Sequence, residues 1–201
     1  GGGGSGGSPD HCKRGVAYGY HSEADLRALA PDVTWWYNWY YQPDSGVRSV
    51  HDDIGVEYVP MVWGHEPIDS TAIANAIPST SRFLLGFNEP NFYSQSNKSA
   101  AQAAALWPQV EAIADQRGLM LVSPAVNYCG GGCHDTNPFD YLDDFFAACP
   151  GCRVDHIAFH VYTGCNAQWL INIVEEYESR FSHPLWLTEF ACTDAASAQD
   201  Q

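Results

Sequence analysis

The chain has 201 residues, 45% of them hydrophobic, which suits one domain with a full core. It carries 24 acidic against 9 basic side chains, a formal net charge of −15. A field of that sign repels phosphate backbones and anionic lipid, so it argues against nucleic acid and membrane surfaces as partners and favours a neutral ligand. No apolar run reaches the roughly 18 residues that a membrane span needs. Seven cysteines are many for a reducing compartment and point to a secreted, extracellular setting.

In chain order, Gly1 to Ser8 contain only Gly and Ser, a linker or tag-like coil set apart from a catalytic domain expected over 9–201. Strands are expected at Gly15–Tyr20, Thr34–Tyr40, Tyr58–Gly64, Phe83–Asn88, Met120–Val126, His156–Tyr162 and Leu185–Phe190. Most are apolar on both faces, as parallel strands covered by helices are. Between them, the helix Ser22–Leu29 opens on a capping Ser with Asp25 three residues on, and Ser70–Ile77 stops before Pro78. The helix from Ser99 to Arg117 starts with a Ser99-x-x-Gln102 capping box and places Ala103, Leu106, Trp107, Val110, Ile113 and Ala114 on one face. A further helical stretch separates Cys133 from Cys149. Gln168–Phe181 carries Trp169, Ile173, Val174, Tyr177 and Phe181 on its inner stripe, with Glu175, Glu176 and Glu178 outside.

Strands alternating with helices imply a parallel α/β architecture. No glycine-rich phosphate loop follows any strand, which removes the usual marks of a nucleotide-binding open sheet. Polar residues gather at strand C-termini: Tyr20-His21, Asn38-Trp39, Trp63, Asn88-Glu89, Asn127, His160, Tyr162 and Glu189. In a (β/α)8 TIM barrel all of these converge on one mouth. A barrel is therefore the expected fold, with its eighth strand and last helix missing from this chain. Cys129–Cys133 and Cys149–Cys152 are each close enough to close a small loop, and Cys165 and Cys192 both follow expected strands at the same end. Two short pairs can also be half a zinc site, but the helical stretch between them argues against it, and no metal is expected. Cys12 is left without an evident mate.

The sharpest chemical signal is Gly86-Phe87-Asn88-Glu89-Pro90-Asn91, which lifts an Asn–Glu pair onto the rim at the end of the fourth strand. Asn88 is suited to bonding a sugar hydroxyl, and Glu89 to protonating a departing glycosidic oxygen. Leu185-Trp186-Leu187-Thr188-Glu189-Phe190 places a second Glu at the end of the seventh strand, across the mouth of a barrel from the first. Two facing carboxylates are what glycoside hydrolysis requires, and a separation of about 5–5.5 Å implies retention of configuration. Aromatic residues crowd the second strand and its exit, from Trp35 to Tyr41, with Trp63 closing the third. Those not buried by alternation form a wall on which pyranose rings stack, Trp39 and Trp63 among them. Asn38, Asn127, His160 and Tyr162 complete the expected substrate-binding set, and a Tyr hydroxyl beside Glu189 is placed to orient it.

With these residues in hand, the sequence resembles the glycosyl hydrolase catalytic core proteins, the endo-β-1,3-glucanases of glycoside hydrolase family 128. The resemblance spans residues 12–194 and rests on Trp36-Tyr37-Asn38-Trp39, Tyr58-Val59-Pro60-Met61-Val62-Trp63-Gly64 and Leu85-Gly86-Phe87-Asn88-Glu89-Pro90-Asn91. It continues through Gln95-Ser96-Asn97, Leu106-Trp107-Pro108, Ser123-Pro124-Ala125 and Trp186-Leu187-Thr188-Glu189-Phe190. The resemblance implies Glu89 as acid/base, Glu189 as nucleophile, no cofactor, and a β-1,3-glucan polysaccharide or oligosaccharide as substrate. It also implies a barrel that continues past Glu189, so a further segment or second chain is expected to supply the eighth strand and a mate for Cys12. Retaining hydrolysis of another β-glycan, or non-catalytic β-glucan binding on the same scaffold, are the competing expectations.

Overall fold

The computed structural model describes residues 14–19 and 21–192. The expectations for Gly1 to Ser8, Cys12 and Tyr20 fall outside the described residues. Seven strands and six helices alternate: β1 (Gly15–Ala17), α1 (Glu23–Leu29), β2 (Trp35–Tyr37), α2 (His51–Ile54), β3 (Glu57–Tyr58), α3 (Ser70–Ala76), β4 (Phe83–Leu85), α4 (Ala100–Arg117), β5 (Met120–Val122), α5 (Pro138–Ala148), β6 (Ile157–Thr163), α6 (Ala167–Arg180) and β7 (Leu185–Cys192). All strand pairings are parallel, in three groups: β1–β2–β3, β4–β5 and β6–β7. Isolated parallel bridges join the groups in running order, Met61 to Leu85 and Val122 to His156. β1 lies against β7 without a hydrogen-bonded ladder, so the described strands do not form a closed sheet.

Each expected strand is present, but most hydrogen-bond over fewer residues than the apolar pattern suggests. β2 stops at Tyr37 because Trp39 turns into the left-handed region (φ 58°). β3 stops before Pro60, which has no N–H for a ladder, and only the Met61 bridge resumes the pairing. The capping boxes expected at Ser22 and Ser99 are both formed. Asp69 rather than Ser70 caps α3, its carboxylate accepting from the Ala72 N–H. The single turn α2 carries no periodic signal and is visible only in three dimensions.

Alternation along the strands sorts their side chains into two layers. Trp36, Leu84 and Leu121 pack outward beneath the helices, where Trp107 of α4 and Phe145 of α5 fill the largest cluster. Tyr37, Met61, Leu85, Val122 and Ala158 point the other way into one inner cluster, with Ala17 of β1 and Trp186 of β7 packed against it. Three disulfides join Cys129 to Cys133, Cys149 to Cys152 and Cys165 to Cys192. The last ties together the C-terminal ends of β6 and β7. Among the described residues no helix is long and apolar enough to cross a membrane.

Trp169, expected on the inner stripe of α6, is instead 53% exposed, whereas Tyr177 two turns later is buried. α6 turns Leu170, Ile173, Val174 and Tyr177 onto the core, which leaves Trp169 at the edge of that stripe.

Gly86, directly after β4, lies where helix and sheet approach most tightly. A Cβ there would meet the Trp107 ring at 2.8 Å and the Pro124 nitrogen at 3.0 Å. The Trp107 ring is fully buried and its Nε1 donates to the Arg153 carbonyl at 2.9 Å, so it has little room to move. Gly86→Ala is expected to cost about 1–3 kcal/mol. Thermal unfolding should show a Tm lowered by several degrees, and an unchanged Tm would refute this account of the contact.

Candidate active site

The end of β4 is held from both sides. Asn88 N–H donates to the Trp63 carbonyl at 3.0 Å and Glu89 N–H to the Ala125 carbonyl at 2.8 Å. Glu89 itself adopts φ 39°, and Phe92 N–H donates to its carbonyl at 3.0 Å, closing a turn. That conformation costs a non-glycine residue about 1–2 kcal/mol. Only three non-glycine residues have positive φ among those described, Trp39, Glu89 and Asn97, and two of them carry site side chains. In β7, the ladder slips: Phe159 pairs with Leu187, but His160 pairs with Glu189, leaving Thr188 as an extra residue. This bulge sets Glu189 beside His160.

The two carboxylates meet around that imidazole. One ligand atom each from Glu89, His160 and Glu189 lie within 4.8 Å of one another. His160 is buried; its Nδ1 is 2.9 Å from Glu89 Oε1, and its Nε2 lies 3.4 Å from Glu189 Oε1, without the alignment of a hydrogen bond. Glu189 Oε1 also accepts from the Tyr37 hydroxyl and the Trp39 indole N–H, both at 2.7 Å, and Oε2 from the Tyr162 hydroxyl at 2.6 Å. Among the described residues Glu89 has fewer donors, with only Asn127 Nδ2 at 3.5 Å besides the imidazole. The trio could ligate a cation, but the ring nitrogens already face the two carboxylates on opposite sides.

The environments of the two acids thus differ. Burial pushes the Glu189 carboxyl up, but charge on His160 and the bonds from Tyr162, Tyr37 and Trp39 outweigh it and hold the group below the usual range. Burial, reinforced by the neighbouring Glu189 carboxylate, pushes both the Tyr37 and Tyr162 hydroxyls up, so they remain protonated donors.

A cleft of about 610 Å³ opens over the pair, lined by Trp39, Trp63, Asn88, Asn127, Tyr162 and the two glutamates among others. Asn88 is buried, donates to Gln95 Oε1 at 3.3 Å and leaves its Oδ1 without a partner among the described residues. Asn38 is placed differently. Its Nδ2 donates to the Gln42 carbonyl at 3.1 Å and its Oδ1 accepts from Tyr58 at 2.6 Å, and it lines an adjoining cleft that shares Trp39. Phe92, Ser94 and Gln95 also line the main cleft, and Tyr37 bonds Glu189 from below; none of these was singled out from the sequence as a site residue. For Tyr37 a signal existed, since a core tyrosine needs a partner for its hydroxyl. For Phe92 and Ser94 there was none.

Opposed carboxylates in an aromatic-walled cleft with no other charged side chain in its lining, at the C-terminal ends of parallel strands, define a class, the glycoside hydrolases. Residues 15–201 match the model of the glycosyl hydrolase catalytic core family, and the chain belongs to that family. Among solved structures it is similar to a GH128 (subgroup II) endo-β-1,3-glucanase from Sorangium cellulosum, with 64% identity and a TM-score of 0.91 over 94% of this chain and 78% of that one. It is also similar to a GH128 (subgroup I) endo-β-1,3-glucanase from Amycolatopsis mediterranei in complex with laminaritriose, at 32% identity and a TM-score of 0.74 over 93% of this chain and 74% of that one. The alkali-sensitive linkage protein 1 of Schizosaccharomyces pombe is 32% identical over 167 residues, 81% of this chain. The match spans only 28% of that protein's length.

Because the folded Glu189 titrates low, its contribution to stability is present above the unfolded carboxyl pKa and is lost as pH falls through the folded value. Carboxyl ¹³C NMR should place Glu189 below the ordinary range, and Tyr162→Phe should move it upward by removing one donor. A Glu189 titration that Tyr162→Phe leaves in place would contradict the role given to that bond.

Proposed function

We propose that this chain is the catalytic domain, over residues 9–201, of a secreted, retaining endo-β-1,3-glucanase that needs no cofactor, with Gly1 to Ser8 as a linker. The carrying observation is the approach of the Glu89 and Glu189 carboxylates to within 4.8 Å across an open cleft. Facing carboxylates this close support direct attack on the sugar and retention rather than inversion. The laminaritriose complex of the Amycolatopsis relative and the endo-β-1,3-glucanase activity named for both solved relatives support β-1,3-glucan as the substrate. Three disulfides support an extracellular setting.

In the first step Glu189, ionised by its three donors, attacks the anomeric carbon. The C1–O bond to the departing chain breaks, and Glu89 delivers its proton to that oxygen. In the second step Glu89, now a base, takes a proton from water, which attacks C1 and releases Glu189. His160 orients both carboxylates, Tyr162, Tyr37 and Trp39 hold Glu189, and Asn127 braces Glu89. The free Asn88 Oδ1 accepts from a sugar hydroxyl, while Trp39 and Trp63 offer ring faces to pyranose units. Asn38 acts one step further out, supporting the loop that carries Trp39.

The same proposal covers the full fold. The described strands pair in parallel, and β1, β2, β4, β5, β6 and β7, with Val59 and Met61 after β3, send side chains into one inner cluster, which supports reading that cluster as a barrel's interior. Among the described residues β1 lies against β7 without a ladder, so an eighth strand with its helix, from a further segment or a second chain, would have to enter between them.

The test is hydrolysis of laminarin with both glutamates varied. Wild-type protein should release endo-products whose first anomer is β. Glu189→Ala should bind glucan without turnover. Glu89→Ala should lose about 10²–10⁴-fold on glucan but keep activity on substrates with a good leaving group. An α first product, or equal mild losses in the two variants, would overturn the assignment.

A further inference from the structure

We propose that the cleft runs on past the catalytic pair onto an aromatic platform, Trp169 with Tyr128, which holds a further glucose unit of the departing chain. The proposal rests on the glucanase function above and assigns it a specificity site. A second cleft, of about 400 Å³, adjoins the first and shares Asn127 and Tyr162 with it. Its walls include Tyr128 and Trp169, which are 44% and 53% exposed, and the carboxamide of Asn172 stands beside them. Leaving two large rings open to water is unfavourable unless something covers them in use. A neutral sugar chain fits, because ring faces match the C–H faces of pyranoses and the amides of Asn127 and Asn172 match their hydroxyls. Leu170, Ile173, Val174 and Tyr177 form the core-facing stripe of α6, and Trp169 stands beside it, turned toward the second cleft.

The direction of the chain follows from which carboxylate each cleft adjoins. Of the two residues shared with the platform, Tyr162 donates to Glu189 and Asn127 faces Glu89, the group that protonates the departing oxygen, so of the two side clefts this is the one that reaches Glu89. Trp39, shared with the adjoining cleft on the other side, donates to Glu189, the group that takes the anomeric carbon. The platform therefore lies on the leaving-group side. The same seat receives a sugar acceptor after the first step. There the acceptor hydroxyl attacks C1, its proton passes to Glu89, and the C1–O bond to Glu189 breaks, lengthening the product in competition with water.

The experiment compares wild-type protein, Trp169→Ala and Trp169→Phe on laminarihexaose and on a nitrophenyl laminaribioside, whose aryl leaving group is too short to reach the platform. Trp169→Ala should lower kcat/KM on laminarihexaose about tenfold and reduce transfer products relative to hydrolysis. Its loss on the nitrophenyl substrate should stay within about twofold, and Trp169→Phe should recover much of the hexaose activity. Unchanged hexaose kinetics and transfer ratio, or equal losses on the two substrates, would overturn the platform. Wild-type protein inactive on both substrates would instead overturn the glucanase function, and the platform with it.

Discussion

Burying two carboxylates within 4.8 Å of each other is unfavourable, and the site is arranged around making it tolerable. The compensation is uneven. Glu189 receives three strong donors, each charge-assisted bond being worth about 1.5–3 kcal/mol, while Glu89 shares one imidazole and a long contact from Asn127. Two groups of the same type thus have different surroundings, and the proposed double displacement draws on that contrast. His160, buried between them, bonds Glu89 and sets its other ring nitrogen 3.4 Å from Glu189.

The backbone features that a regular strand would lack are the ones that build this arrangement. A left-handed turn at Glu89 and another at Trp39 end their strands and aim side chains over the cleft. The slip at Thr188 brings Glu189 into register with His160. Each departs from the repeating ladder, and each is paid for by the tight packing beneath, where Gly86 lets Trp107 press against the end of β4. The fold and the chemistry are joined at that point, since a displacement of Gly86 moves Asn88 and Glu89 directly.

Much of this was legible in the sequence, for identifiable reasons. Runs such as Phe83–Asn88 and Leu185–Phe190 are apolar on both faces, so their strands and parallel pairing could be read, and their terminal glutamates with them. The ladder ends could not, because they depend on single backbone choices at Trp39, Pro60 and Gly86. Trp169 was expected on the core-facing stripe of α6, but that stripe runs through Leu170, Ile173, Val174 and Tyr177 and leaves Trp169 at its edge. Asn38 was expected to touch substrate; it bonds Gln42 and Tyr58 and lines an adjoining cleft that shares Trp39. Tyr37 shows the reverse: its position in β2 marks it as core, and only its hydroxyl, reaching across the inner cluster to β7, joins the catalytic group. Residue type and period reveal which face a side chain takes. Which polar atom it meets across the fold is decided by packing among strands far apart in sequence.

The most direct measurement is to trap the first step. A 2-deoxy-2-fluoro laminari-oligosyl fluoride should label the protein covalently, and mass spectrometry of its peptides should place the sugar on Glu189. An adduct on any other residue, or none from a protein that cleaves β-1,3-glucan, would contradict a double displacement at this pair.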